Sequence, residues 1–347
     1  FNGTVNSEGS ETNSLTLGVG SSEVEFNGAV GGGRTLNAIA ITGALDLNAA
    51  ITNTVSLTVS GASNLGANVT ASGNSQTYSG PVTLSADTTL TDAGNILFSS
   101  TVDGGFALTI VNSGTGDVTF TDAVGGTTAL TGLTITTDIL TAAAIRSTGT
   151  LSVTNTGTSS ITGIISENVS ALAVTKAGTG TLTLSGANSY TGATTVSAGT
   201  LAISNATGLG TTASGTTVAD GAALELSGGI TIGAEALTLN GTGISSGGAL
   251  RNISGDNTYA GVITLASDSR INSDSGLLTL NVATGNAITG TFNITFGGAN
   301  NISVADPIDT STGTLTKDGI GTLFLSGANN YTGATTISAG IIRASHA

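Results

Sequence analysis

The chain contains no Cys, no Met and no Trp, and only seven Lys or Arg among its 347 residues. Without Cys there is no disulfide framework, thiolate metal site or Cys nucleophile. Lacking Cys and Met, it offers no easily oxidised side chain, which suits exposure outside the cell. Aromatics are 3 % of the chain, so a core must be built from many thin layers of Leu, Ile and Val. A net charge of −14 with so few basic residues argues against nucleic acid or an anionic membrane as partner. No apolar run approaches the roughly 18 residues that span a bilayer, so no membrane insertion is expected. Pro occurs only twice, and charged residues at 8 % are too sparse for a disordered chain, so the sequence should fold. There is neither an initiator Met nor a signal-peptide pattern at Phe1, and the sequence reads as a processed product or an excised segment.

What is present is alternation. SLTLGV from Ser14, GLTITT from Gly132, TLTLSG from Thr181 and ALTLNG from Ala236 place Leu, Ile or Val at every second position. That is the period of a strand with one buried face. Gly, Asn, Asp and Ser bound these runs, as turns require. No stretch is long enough for a crossover helix.

The alternation is organised in repeats. From Lys176 to Ser204 and from Lys317 to Ser345 the chain agrees with itself at 20 of 29 positions without a gap. All four tyrosines, Tyr78, Tyr190, Tyr259 and Tyr331, sit in Tyr-x-Gly, each followed by strand, turn and strand. In the first half, FNGAVGGGRTLNAIAIT from Phe26 aligns with FTDAVGGTTALTGLTIT from Phe120, and FNGTV at Phe1 shares its start with FSSTVDGG at Phe98. The spacings Phe1 to Phe26 and Phe98 to Phe120, 25 and 22 residues, suit one turn of a parallel β-solenoid. The expectation is one continuous solenoid over 1–347, all-β, of about 14 to 16 turns and on the order of 70 Å long.

The segment KAGTGTLTLSGANSYTGATTVSAGTLAIS resembles the autotransporter-associated β-strand repeat, the passenger-associated motif of bacterial autotransporters and large surface adhesins. KDGIGTLFLSGANNYTG from Lys317 is a second match, and ALRNISGDNTYAGVITLASDSRINSDSGLLTL from Ala249 resembles the unit that often precedes it. These cover 174–347; residues 1–173 are similar in style to filamentous-haemagglutinin-like strand repeats. The resemblance implies a right-handed parallel β-helix, secreted or displayed at a bacterial surface. The usual C-terminal β-barrel translocator is absent, which fits a passenger fragment or a released protein.

The tyrosines are read as corner devices rather than carbohydrate-stacking platforms, because spacings of 112, 69 and 72 set no track on successive turns. Asn188, Asn300 and Asn329 are expected to bond turn backbone. Asp117 in SGTGDVTF partly matches a calcium-binding repeat but occurs once, and Asp268, Asp274, Asp306 and Asp309 read as solvated loop charges. Lys176 and Lys317 hold equivalent places, without the carboxylate cluster that a polysaccharide lyase needs. The only His, His346, is penultimate, which disfavours Ser-His-Asp chemistry. An ice-binding face needs Thr in strict register, which the uneven spacing argues against.

The expectation is therefore a secreted structural or adhesive solenoid with no catalytic, metal or cofactor residue. Its partners would be copies of itself, stacked head to tail, or a longer chain, with a host surface or glycans as possible ligands. A glycan-active β-helix enzyme and a calcium- or ice-binding solenoid are the alternatives.

Overall fold

The computed structural model describes residues 1–9 and 11–345, and the reading of His346 lies outside them. The chain divides into two compact units, Phe1–Leu172 and Ala173–Ala347. Both are built from short strands paired in parallel with the strand one turn further on, about 16 turns in all. Among the described residues the one helical turn is a 3-10 turn at Ile244–Ser246.

In the first unit three ladders can be followed residue by residue. One runs Val5, Val30, Ile51, Val69, Leu90, Ile110, Ile135, Val153, giving eight rungs. A second runs Leu15, Ile39, Leu57, Gln76, Ile96, Val118, Leu140. The third runs Val24, Leu45, Ser63, Val82, Val102, Val124, Ile145, Ile165. Alternation explains the ladders: inward positions are mostly Leu, Ile or Val at almost zero exposure, with Gln76 and Ser63 buried among them, and Thr or Ser faces outward between many of them. Each buried aliphatic side chain contributes about 1.5–3 kcal/mol, and a thin core accumulates it rung by rung.

The Phe repeat marks single turns, as its spacing predicts. Phe98 and Phe120 are register partners, and their rings stack with centroids 4.8 Å apart. Tyr78 extends that stack at 5.2 Å, and Phe1 stacks on Phe26 at 5.3 Å.

The second unit has the same construction. Its longest ladder runs Leu182, Leu201, Leu224, Leu250, Ile271, Phe296, Lys317, Ile337. Beside it run Val174, Thr194, Thr216, Leu237, Ile263, Ile288, Ile308. A third ladder joins Ile232, Tyr259, Leu280, Val304, Leu325 and Ala344.

Candidate functional site: the repeated lysine and tyrosine turn

Strand alternation aims the repeated lysines inward. In Ala173–Ala177, Val174 and Lys176 both face the core, and in Leu315–Lys317 the same holds for Leu315 and Lys317. Lys176 is 0 % exposed and Lys317 1 %. A buried ammonium is tolerated only where its protons find acceptors. The Lys176 Nζ donates to the carbonyls of Ala177 at 2.7 Å, Gly178 at 2.9 Å and Ala198, one turn on, at 3.2 Å. Three N–H groups thus meet three carbonyls. Burial pushes the Lys176 pKa down to about 8, so the ammonium persists at neutral pH. Lys317 Nζ donates to the Gly319 carbonyl; burial lowers its pKa first, Asp318 beside it opposes the shift and Arg270 adds to it.

The cage closes with a glycine from the following turn. Gly199 adopts φ +66°, and a Cβ there would stand 2.9 Å from Lys176 Nζ; Gly340 adopts φ +74° and would stand 2.8 Å from Lys317 Nζ. Both the left-handed backbone and the missing side chain are required.

Each repeat adds a tyrosine clasp. The Tyr190 hydroxyl and Thr194 Oγ1 lie 2.7 Å apart, and Tyr331 and Thr335 repeat the bond at 2.8 Å. The other two tyrosines lack a Thr four residues on: Val82 follows Tyr78 and Ile263 follows Tyr259. Tyr78 donates instead to Gln76 Oε1 at 3.1 Å. Tyr78, Tyr190 and Tyr259 are 0 % exposed, so their rings fill the interior rather than cover an edge of the turn, and no sugar can stack on them.

The Asn corners bond backbone across turns, as expected. Asn188 Nδ2 donates to the Gly208 carbonyl at 2.8 Å, Asn300 Nδ2 to that of Asp274 at 2.7 Å, and Asn329 Oδ1 accepts from Ile308 N–H at 3.0 Å. The loop acids, by contrast, are more than solvated charges. Asp306 accepts from Val282 N–H at 2.8 Å and Asp268 from Asn293 N–H at 2.9 Å, each joining neighbouring turns. Asp309 accepts from Asn286 Nδ2 at 3.2 Å, and the Asp117 N–H donates to Asn95 Oδ1 at 2.9 Å. Among the described residues no three His, Cys, Asp or Glu side chains gather around a point that could hold a metal.

Two surface arrangements escape sequence reasoning. Glu225, Arg251, Asn272 and Gly297 share a ladder, and Arg251 bridges Glu225 at 2.7 Å and Asp274 at 2.5 Å. Arg270 reaches Asp318 at 2.6 Å by crossing Gly297, where any Cβ would strike the guanidinium. On another face Thr175, Thr195, Thr217, Thr238, Thr264 and Thr289 stand in strict register over six rungs. The uneven spacing is therefore absorbed in the loops, and it does not break the Thr rank. The rank is single-file, and Asp309 follows Thr289 in it.

A family model described as Passenger-associated-transport-repeat matches residues 174–203 and 315–344. These are the two segments that carry the lysine cage and the Tyr–Thr clasp. No curated protein and no solved structure matches the chain. The two matched segments are thus similar to the passenger-associated transport repeat of autotransporter passengers, and the parallel ladders they form belong to a β-solenoid.

Proposed function

We propose that the chain is an exported structural or adhesive solenoid of a bacterial surface, without catalytic turnover. One observation carries this reading. The polar side chains that distinguish the first repeat, Lys176, Tyr190 and Thr194, are all buried and hydrogen-bonded within their own and neighbouring turns. A motif whose polar groups point inward serves the construction of turns, and its family associates such turns with passengers delivered to the outer surface. Self-association belongs to the same reading. Thr335–Ile337 and Ile341–Ala344 pair with the preceding turn and leave Ile337 55 % and Ile341 49 % exposed. A further turn, of a second copy or of a longer chain, would extend both ladders and cover these side chains.

The test presents purified chain to immobilised bacterial and host polysaccharides and images it by electron microscopy. Retention on a surface, or end-to-end assemblies, without release of sugar products is expected. Product release, or single particles with no retention, overturns the reading.

A further inference from the structure

Among the described residues of the second unit one carboxylic acid, Glu235, is buried, and it is in none of the ion pairs. Glu235 lies in the corner between Thr231–Ile232 and Leu237–Leu239, only 3 % exposed. Its Oε1 accepts from Thr216 Oγ1 at 3.0 Å, whereas Oε2 is buried without a hydrogen-bond partner. The hydroxyl of Tyr259, one rung further on, is also buried and unpartnered, because Ile263 stands where the clasp has Thr. The titratable groups that sense the Glu235 charge are Tyr190 from an earlier rung and Tyr259 from the later one. The ion pairs among the described residues lie elsewhere, at Arg251 and Arg270.

The first unit holds an instructive counterpart. Asp92, beside Tyr78, is 1 % exposed and also leaves Oδ2 unpartnered. Burial raises its pKa, but its Oδ1 accepts two backbone N–H bonds, from Ala93 at 2.8 Å and Gly94 at 3.0 Å, which oppose that rise. Glu235 has a single hydroxyl in their place.

We propose that Glu235 is a buried proton-binding joint of the second unit, which tightens that corner when the carboxyl is protonated and loosens it when the carboxyl ionises. A protonated carboxyl is neutral and can stay in the interior, where Oε2 has no hydrogen-bond partner. An ionised Oε2 is a bare anion in a low-dielectric interior and draws in water or moves outward. Burial raises the Glu235 pKa to about 7, with the Thr216 bond opposing, so the transition falls near neutrality.

The folded state binds the proton more tightly than the unfolded chain, so between about pH 4.5 and 7 stability falls as pH rises. Relative to Glu235→Gln, the folding equilibrium constant of the full chain should drop on the order of a hundredfold from pH 4.5 to 8. Amide exchange around residues 232–263, corrected for intrinsic rates, should quicken over the same interval. Carbon-13 NMR of the wild-type Glu235 carboxyl gives the decisive midpoint even if the Gln variant folds poorly. A midpoint near 7 with a pH-dependent difference supports the joint. A midpoint near 4.5, or a wild-type-to-Gln difference that is flat with pH, overturns it.

Discussion

Residues 174–203 and 315–344 share a sequence and a set of internal contacts, yet they occupy different places in the solenoid. Lys176 stands in the ladder that continues through Val196, Val218, Leu239 and Leu265. Lys317 stands in the neighbouring ladder, the one that houses Leu182 in the first copy. The same local unit has moved over by one face, and its cage and clasp have moved with it. The repeat therefore specifies a turn and its corners, while the length of the chain between copies decides which face each strand joins. The copies also differ in cover. Strands Thr194–Val196 and Thr200–Ile203 receive a further turn, at Thr216–Val218 and Ala223–Leu226. Thr335–Ile337 and most of Ile341–Ala344 are exposed.

Cover should separate the copies most sharply in the core. Leu201 is 0 % exposed and Ile342, its counterpart, is partly exposed. Leu201→Ala should cost about 3 kcal/mol, whereas Ile342→Ala should cost about 1 kcal/mol, because the site can relax towards solvent. Urea unfolding of both variants of the 347-residue chain measures both. Equal losses would mean that the second copy is covered in solution.

The lysine cage gives a smaller and pH-dependent contrast. Lys176→Met strips three buried carbonyls of their donor but also removes a desolvated charge, so a net loss of about 1 kcal/mol is expected at pH 7. The folded-state pKa of Lys176 lies below its unfolded value, so the unfolded chain holds the extra proton between about pH 8 and 10.5. Wild-type stability relative to Lys176→Met should therefore rise with pH through that window and decline as pH falls back to 8. Position 177 is Ala, but its counterpart is Asp318, which opposes the depression of Lys317. The Lys317→Met difference should accordingly change less with pH. Stability curves of both pairs at pH 7 and 10 test this, and a larger slope for Lys317 would break the comparison.

Much of this turn was legible from the residues. Alternating Leu and Thr exposes strand period, and the paired Phe spacing marks single turns that the Phe98–Phe120 stack then fills. The lysines hold equivalent positions in the two copies, but their burial is hidden because a charged side chain at an inward strand position defies the usual pattern. The signal was there in the phase: Val174 and Lys176 are two apart in one strand. Register over long distances was less accessible. Six threonines separated by irregular intervals align only because loops such as 283–287 take up the excess, and no local rule counts residues that leave the wall. For the same reason the acids of the loops, read singly, gave no hint that Asp306 and Asp268 would bind the preceding and following turns.

The smallest contrast lies in the clasp and depends on one oxygen. Tyr190 and Thr194 are both buried, 0 % and 1 % exposed, so Tyr190→Phe leaves the Thr194 hydroxyl without this partner where water cannot enter. A loss of about 1 kcal/mol is expected. Thr335 is exposed, and its hydroxyl can turn to solvent once Tyr331 is Phe, so Tyr331→Phe should change stability by less than about 0.5 kcal/mol. Tyr190→Phe/Thr194→Val removes both partners at once and should recover part of the Tyr190→Phe loss, since an unpaired buried hydroxyl costs more than an absent one. If the double variant is as destabilised as the sum of its singles, the clasp is an incidental contact, and the ring alone holds the corner.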